Sequence, residues 1–213
     1  MKTHPIKCFL FFLFFLQLQC YHSEKDDLSA LTLLSQNSSP VRITILGDSL
    51  SQWSDSFGLK QKLNASYLIS DISIAGHDSK LWLEDLSKAE AIQTDIWIIE
   101  LGTNDASYYG TTDFKERYSE ILRRLEQRSY SYFILSAVPK TNQVGLHSSI
   151  SINNEIIRDI VKTNPKYRLA DLETIFTKAA NTLTLYSLAD PIHPNRVGYE
   201  LIGEEYRRIL LGL

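Results

Sequence analysis

The stretch VRITILGDSLSQW, residues 41–53, decides how the chain is read. A β-branched apolar run breaks off at Gly47-Asp48-Ser49, the pattern of a buried strand passing into a tight turn. Ser49 then stands just past the strand end. It is either a nucleophile or the cap of the next helix. The strained hydrolase elbow G-x-S-x-G requires glycine at 51, and Ser51 is there instead. Four similar apolar runs follow: YLISDISIAG (67–76), DIWIIELGTND (95–105), YSYFILSAVP (130–139) and the shorter YRLADLE (167–173). Segments of helical period lie between and after them. DSFGLKQKLN (55–64) is the first and SKLWLEDLSKAEA (79–91) the second. TDFKERYSEILRRLEQR (112–128) carries an apolar stripe at Phe114, Tyr118, Ile121, Leu122 and Leu125. SSISINNEIIRDIVKTN (148–164) stops before Pro165, and NRVGYELIGEEYRRILLGL (195–213) closes the chain. Five strand–helix alternations predict a three-layer α/β/α domain on a parallel sheet.

The 213 residues are 44% hydrophobic and 22% charged, ordinary for one globular domain. A net charge of −3 with no basic block excludes a nucleic-acid footprint. The N-terminus stands apart: Lys2 and Lys7 precede the apolar run CFLFFLFFLQLQ (8–19). That run falls short of the ~20 residues that span a bilayer and suits the core of a secretory signal peptide. The expected organisation is a signal peptide at 1–19, a tether or arm at 20–40 closed by Pro40, and the globular domain at 41–213. Such a protein is exported to the periplasm, the cell surface or the medium. Of the two cysteines, Cys8 lies in the signal segment and Cys20 directly after it. Two readings of Cys20 stay open: lipidation after cleavage before it, which would attach the protein to a membrane, or an incidental position near an ordinary cleavage. An intramolecular disulfide in the mature domain is excluded either way.

In an open parallel sheet the working groups gather at the carboxyl ends of the strands. Three expected strand ends carry small polar turns: Gly47-Asp48-Ser49, Ala75-Gly76-His77 and Gly102-Thr103-Asn104-Asp105. A serine hydroxyl needs a base. The segment ADPIHPN (189–195) holds Asp190 and His193 on a loop stiffened by Pro191 and Pro194. Asp190 can orient the imidazole while its other nitrogen takes the serine proton. Acyl transfer also needs donors for an oxyanion. The Ser49 N–H, the Gly76 N–H and the Asn104 side-chain amide are the candidates. Taken singly, Asp190 is a cap, Gly76 a turn glycine and Asn104 a turn residue; together, at successive strand ends, turn chemistry accounts for them poorly. Asp48 and Asp105 are read as carboxylates that bond nearby backbone. His77 is the alternative base. His147 is a loop histidine, Trp53 an apolar wall beside Ser49 or a packed helix face, and Trp82 and Trp97 are core residues.

The blocks GDSLS (47–51), AGHDS (75–79, through Gly76), GTND (102–105) and DPIHPN (190–195) resemble the SGNH (GDSL) hydrolase family. The resemblance implies a flavodoxin-like five-stranded sheet of order 2-1-3-4-5, with Ser49, Asp190 and His193 as triad and Ser49, Gly76 and Asn104 as oxyanion hole. It implies ester or thioester hydrolysis through an acyl-enzyme, with no metal and no organic cofactor. It also explains the missing glycine at 51, because in that family the serine sits on a looser turn. The expected substrate is a small-molecule or lipid ester of the lysophospholipase, thioesterase or aryl esterase kind. A carbohydrate or cell-wall O-deacetylase with the same triad is the alternative, and a non-catalytic surface binding protein is the alternative of another class. Specificity is expected in the loops 106–113 and 139–149.

Overall fold

The computed structural model describes residues 39–127 and 131–213. The expected signal peptide, Cys20 and all of the arm except Ser39 and Pro40 lie outside the described residues. The strands are β1 (Val41–Gly47), β2 (Tyr67–Asp71), β3 (Ile96–Glu100), β4 (Tyr132–Ala137) and β5 (Tyr167–Asp171). They pair in parallel throughout, in the order β2-β1-β3-β4-β5. This is the α/β/α fold with the strand order implied by the sequence blocks.

The helices are α1 (Ser49–Gln52), α2 (Leu59–Lys62), α3 (Ser79–Glu90), α4 (Thr103–Tyr108), α5 (Phe114–Glu126), α6 (His147–Val161), α7 (Leu172–Ala179) and α8 (Arg196–Leu210). The pleat sends alternate strand residues to opposite faces. Ile43, Ile45, Ile98 and Ile134 meet Ile202, Tyr206 and Ile209 of α8 and Phe176 of α7 on one face. Leu46, Trp97, Ile99, Phe133 and Leu135 meet Trp82 and Leu86 of α3, Tyr118 and Leu122 of α5, and Ile157 of α6 on the other. Both faces of the central strands are thus dry, which is why 96–99 reads as an unbroken apolar run. Each such side chain contributes about 1.5–3 kcal/mol by leaving water, and packing supplies the cohesion. Trp82 and Trp97 are core residues as expected, each 1% exposed.

Local structure departs from the sequence reading in four places. The helix expected over 55–64 is broken. Asp55, Ser56, Phe57 and Gly58 all take positive φ (50°, 61°, 57° and 67°), Ser56–Gly58 form a 3-10 turn, and only α2 is α-helical. Left-handed backbone costs non-glycine residues on the order of 1 kcal/mol or more each. Burial of Phe57 against Tyr206, with ring centroids 5.2 Å apart, offsets that cost. Second, β2 ends at Asp71, five residues before the expected Gly76, and 72–78 is the turn-rich approach to α3. Third, the expected loop at 106–113 begins inside α4, and that at 139–149 ends in a 3-10 turn (Val144–Leu146) and the start of α6. Fourth, α7 follows β5 directly. The fifth run is expected to reach Glu173 and no helix is expected after it, but Asp171 caps α7 by accepting from the Thr174 N–H at 3.2 Å.

Candidate active site

The site is built on the carboxyl edge of β1 and β3. Asp48 is the N-cap of α1, its Oδ1 accepting from the Leu50 N–H at 2.9 Å. That turn places Ser49 at the helix start, nine-tenths buried, with its N–H among the first-turn groups that lack an intrahelical partner. Ser51 is fully buried, and its hydroxyl donates to Asp71 Oδ2 at 2.8 Å. So the residue in the elbow-glycine position tethers α1 to the end of β2.

His193 arrives from the far end of the chain. Its Nε2 lies 2.9 Å from Ser49 Oγ, and its Nδ1 lies 2.8 Å from Asp190 Oδ2. Asp190 Oδ1 accepts the N–H groups of Ile192 (3.0 Å) and His193 (2.9 Å), so one carboxylate fixes the loop and the ring together. Burial works against charge on Asp190, but the His193 N–H and ring and the Ile192 N–H outweigh it and hold the carboxyl below the usual range. The strap behind this loop is pinned by a bridge between Tyr186 and Pro194 and by the Asn195 N–H donating to the Leu185 carbonyl at 2.7 Å. Asn195 then caps α8 through the Val197 N–H (2.9 Å) and the Gly198 N–H (3.2 Å).

The two other expected donors sit on the neighbouring turns. Gly76 has φ +82°, and a Cβ there would meet nothing within 4 Å. Glycine is therefore required by backbone conformation rather than by crowding. The turn's own hydrogen bond runs from the His77 N–H to the Ile74 carbonyl at 3.0 Å. Asn104, in the first turn of α4, donates from Nδ2 to Asp48 Oδ2 (3.1 Å) and to the His77 carbonyl (3.0 Å). Its amide ties the turns after β1, β2 and β3 together. An amide nitrogen has two hydrogens, so an incoming oxyanion must share or exchange one of these bonds.

The remaining candidates take other places. His77 faces Asp85 on α3 (Nε2 to Oδ2, 3.1 Å) and lies edge-on to Trp82, a carboxylate partner the spacing did not reveal. His147 Nε2 lies 2.7 Å from the Thr141 carbonyl. Asp105 does not bond nearby backbone as expected. Fully buried, it accepts from the Ser79 N–H and hydroxyl across the site and lies 3.4 Å from Arg117 Nη2, joining α4 to α3 and α5. Trp53 is 60% exposed and packs on the His193 ring, centroids 4.3 Å apart. Glu100 was not singled out from the sequence. It is fully buried beside Asp48, with Gly47 as its register partner on β1. A single acidic residue closing an apolar strand, IIE, was the available signal. Burial, then the neighbouring Asp48, pushes the Glu100 carboxyl far up, and burial likewise raises Asp48. Among the described residues no group of three or more His, Cys, Asp or Glu side chains is gathered as metal ligands would be.

A family model described as GDSL-like Lipase/Acylhydrolase matches residues 45–201. No curated protein matches the chain significantly. Among solved structures, a member of the lipolytic protein G-D-S-L family from Veillonella parvula superposes with TM-score 0.71 at 14% identity, covering 81% of this chain and 100% of that one. The acetylxylan esterase Axe2 from Geobacillus stearothermophilus gives TM-score 0.66 at 16% identity, covering 80% and 94%. The C-terminal catalytic domain of Streptococcus pneumoniae peptidoglycan O-acetyltransferase A gives 0.65 at 14%, covering 82% and 95%. At these identities the likeness is one of fold.

Proposed function

Since the chain belongs to the GDSL-like lipase/acylhydrolase family and is thereby a carboxylic ester hydrolase, we propose that Ser49 attacks the acyl carbonyl with His193 as base and Asp190 as orienting acid. The observation that carries this reading is the unbroken relay from Ser49 Oγ through the imidazole to Asp190, 2.9 and 2.8 Å. The serine proton passes to Nε2 as the Oγ–carbon bond forms. Asp190 holds the Nδ1–H tautomer and stabilises the imidazolium. The Ser49 and Gly76 N–H groups and the Asn104 amide receive the oxyanion, and removal of such a donor typically costs roughly 10²–10³ in rate. The imidazolium then protonates the leaving alcohol. Water, activated by the same base, returns the serine and releases the acid. The test is hydrolysis of a short-chain aryl ester by purified protein and by its Ser49→Ala variant. Turnover should vanish in the variant, and undiminished turnover would overturn the assignment.

A second reading, deacetylation of a carbohydrate or cell-wall polymer, is favoured by one feature. Trp53, which packs on the His193 ring, also lines a cleft of about 440 Å³ with Asp55, Arg196, Tyr199 and Glu200, and we infer that the alcohol leaves on this side. An exposed aromatic face ringed by charged groups suits a hydroxylated alcohol better than an alkyl chain. Two of the structural relatives are described as acting on acetylated xylan and as a peptidoglycan O-acetyltransferase, which supports the same reading. A panel of acetylated oligosaccharides against aryl esters of increasing chain length separates the two. We further place the mature enzyme outside the cytoplasm on the apolar run at 8–19. Mass spectrometry of the mature N-terminus tests this and shows whether Cys20 bears lipid.

A further inference from the structure

We propose that Glu100 is a positioning residue of the oxyanion hole: it carries the proton of a Glu100–Asp48 acid pair and, through Asp48, sets how the Asn104 amide is presented to substrate. The inference rests on the reaction proposed above. Both carboxyls are fully buried and held side by side by the β1–β3 register, which pairs Gly47 with Glu100. Two ionised carboxylates cannot share such a place without a cation, and one of them must keep a proton. Among the described residues no Lys, Arg or His ion pair reaches either group.

The hydrogen-bond donors decide which carboxyl is the anion. The Leu50 N–H and the Asn104 amide both point at Asp48. The Glu100 oxygens receive no well-formed hydrogen bond from other described residues, and they face the backbone N–H and carboxylate of Asp48. A carboxylic acid aimed at a carboxylate supplies the missing donor. The other titratable groups around Glu100 add no positive charge. They are Asp71 at the end of β2, Tyr118 of α5, Tyr199 and Tyr206 of α8, and Tyr186 of the strap; Asp105 of α4 bears on Asp48.

The functional link is Asp48 Oδ2, which accepts one of the two Asn104 hydrogens. With Glu100 protonated, the negative charge of Asp48 is shared with a second donor, and its hold on the amide is moderated. If Glu100 loses its proton, Asp48 loses that donor and keeps its full charge for the Asn104 amide. The third oxyanion donor is then drawn away from the substrate and the turn behind Ser49 is strained. Activity should fall on the alkaline side for this reason, independently of the triad.

The test uses Glu100→Gln, which retains a donor for Asp48 but cannot ionise, and Glu100→Leu, which removes the donor. Glu100→Gln is expected to keep kcat within about threefold and to extend activity to higher pH. Glu100→Leu is expected to lose roughly 10–100-fold in kcat with KM little changed, as partial loss of an oxyanion donor would. Infrared spectroscopy of the wild type at pH 8 should show a carbonyl band of a protonated carboxylic acid that is absent from Glu100→Gln. Wild-type kcat and pH profile in Glu100→Leu would overturn the proposal. So would a Glu100→Gln variant with the wild-type alkaline limb, or absence of the infrared band. The band does not depend on turnover, so a failure of the esterase reading leaves this part of the proposal separately testable.

Discussion

At the scale of single residues, the site is a set of groups each given one task by its neighbours. Asp190 uses one oxygen for its own loop and the other for the imidazole. Asp190→Asn should therefore leave the fold intact and lower kcat by about 10³–10⁴, because the amide favours the wrong tautomer. A pH-stat assay beside a circular dichroism melt checks both halves. Trp53 packs at a tilt on the His193 ring, which becomes cationic in the mechanism proposed above. A cation–π contact contributes about 0.5–2 kcal/mol, so Trp53→Leu is expected to reduce kcat/KM roughly 3–30-fold on a small aryl ester. An unchanged value would confine Trp53 to the alcohol cleft. Ser49, Gly76 and Asn104 stood out in the sequence because each sits in a small polar turn after an apolar run, and Asp190 and His193 because they share one short loop between prolines. Glu100 was not, since it differs from its apolar neighbours only by a charge whose burial no pattern reveals.

At the scale of elements, the proposed mechanism depends on how closely α8 approaches the loop that carries His193. A Cβ on Gly198 would come within 2.7 Å of Pro194 Cβ and 2.9 Å of the Leu185 carbonyl. Gly198→Ala must therefore push the loop off the helix, with an overpacking cost of about 1–3 kcal/mol. Both the melting temperature and kcat should fall. The control is Gly145→Ala, where a Cβ would meet nothing within 4 Å and no change is expected. Element type and order followed from hydrophobic period, and the parallel sheet with them. The broken stretch 55–64 did not, because DSFGLKQKLN has the composition of a helix. Packing of Phe57 under α8 overrides that local preference with four left-handed residues in a row. The separate helix α7 was hidden for a related reason: β5 passes into it without any turn residue, and Asp171 serves as both strand end and cap.

At the scale of the molecule, two buried acidic groups pull stability in opposite directions with pH. Burial disfavours charge on Glu173, but hydrogen bonds from Ser151, Arg158, Asn154 and Lys140 outweigh it and hold its carboxyl at about 2. A depressed folded value stabilises above the unfolded pKa, about 4.3 for Glu, and that contribution is lost as pH falls toward 2. Glu100 has the opposite sign. Its raised value favours the fold below the unfolded pKa, and the advantage drains away as pH rises. Melting curves should accordingly show Glu173→Gln losing clearly less stability at pH 3 than at pH 7, and Glu100→Gln gaining at pH 8 but not at pH 4. The reverse pattern would contradict the protonation states assigned here. The central claim concerns one atom, Ser49 Oγ, and covalent labelling tests it most directly. Purified protein treated with a fluorophosphonate and mapped by peptide mass spectrometry should carry one adduct per chain, on Ser49, accumulating in step with loss of esterase activity and absent from Ser49→Ala. Adduct formation at another residue in parallel with inactivation, or full ester turnover by protein whose Ser49 stays unlabelled, would contradict it.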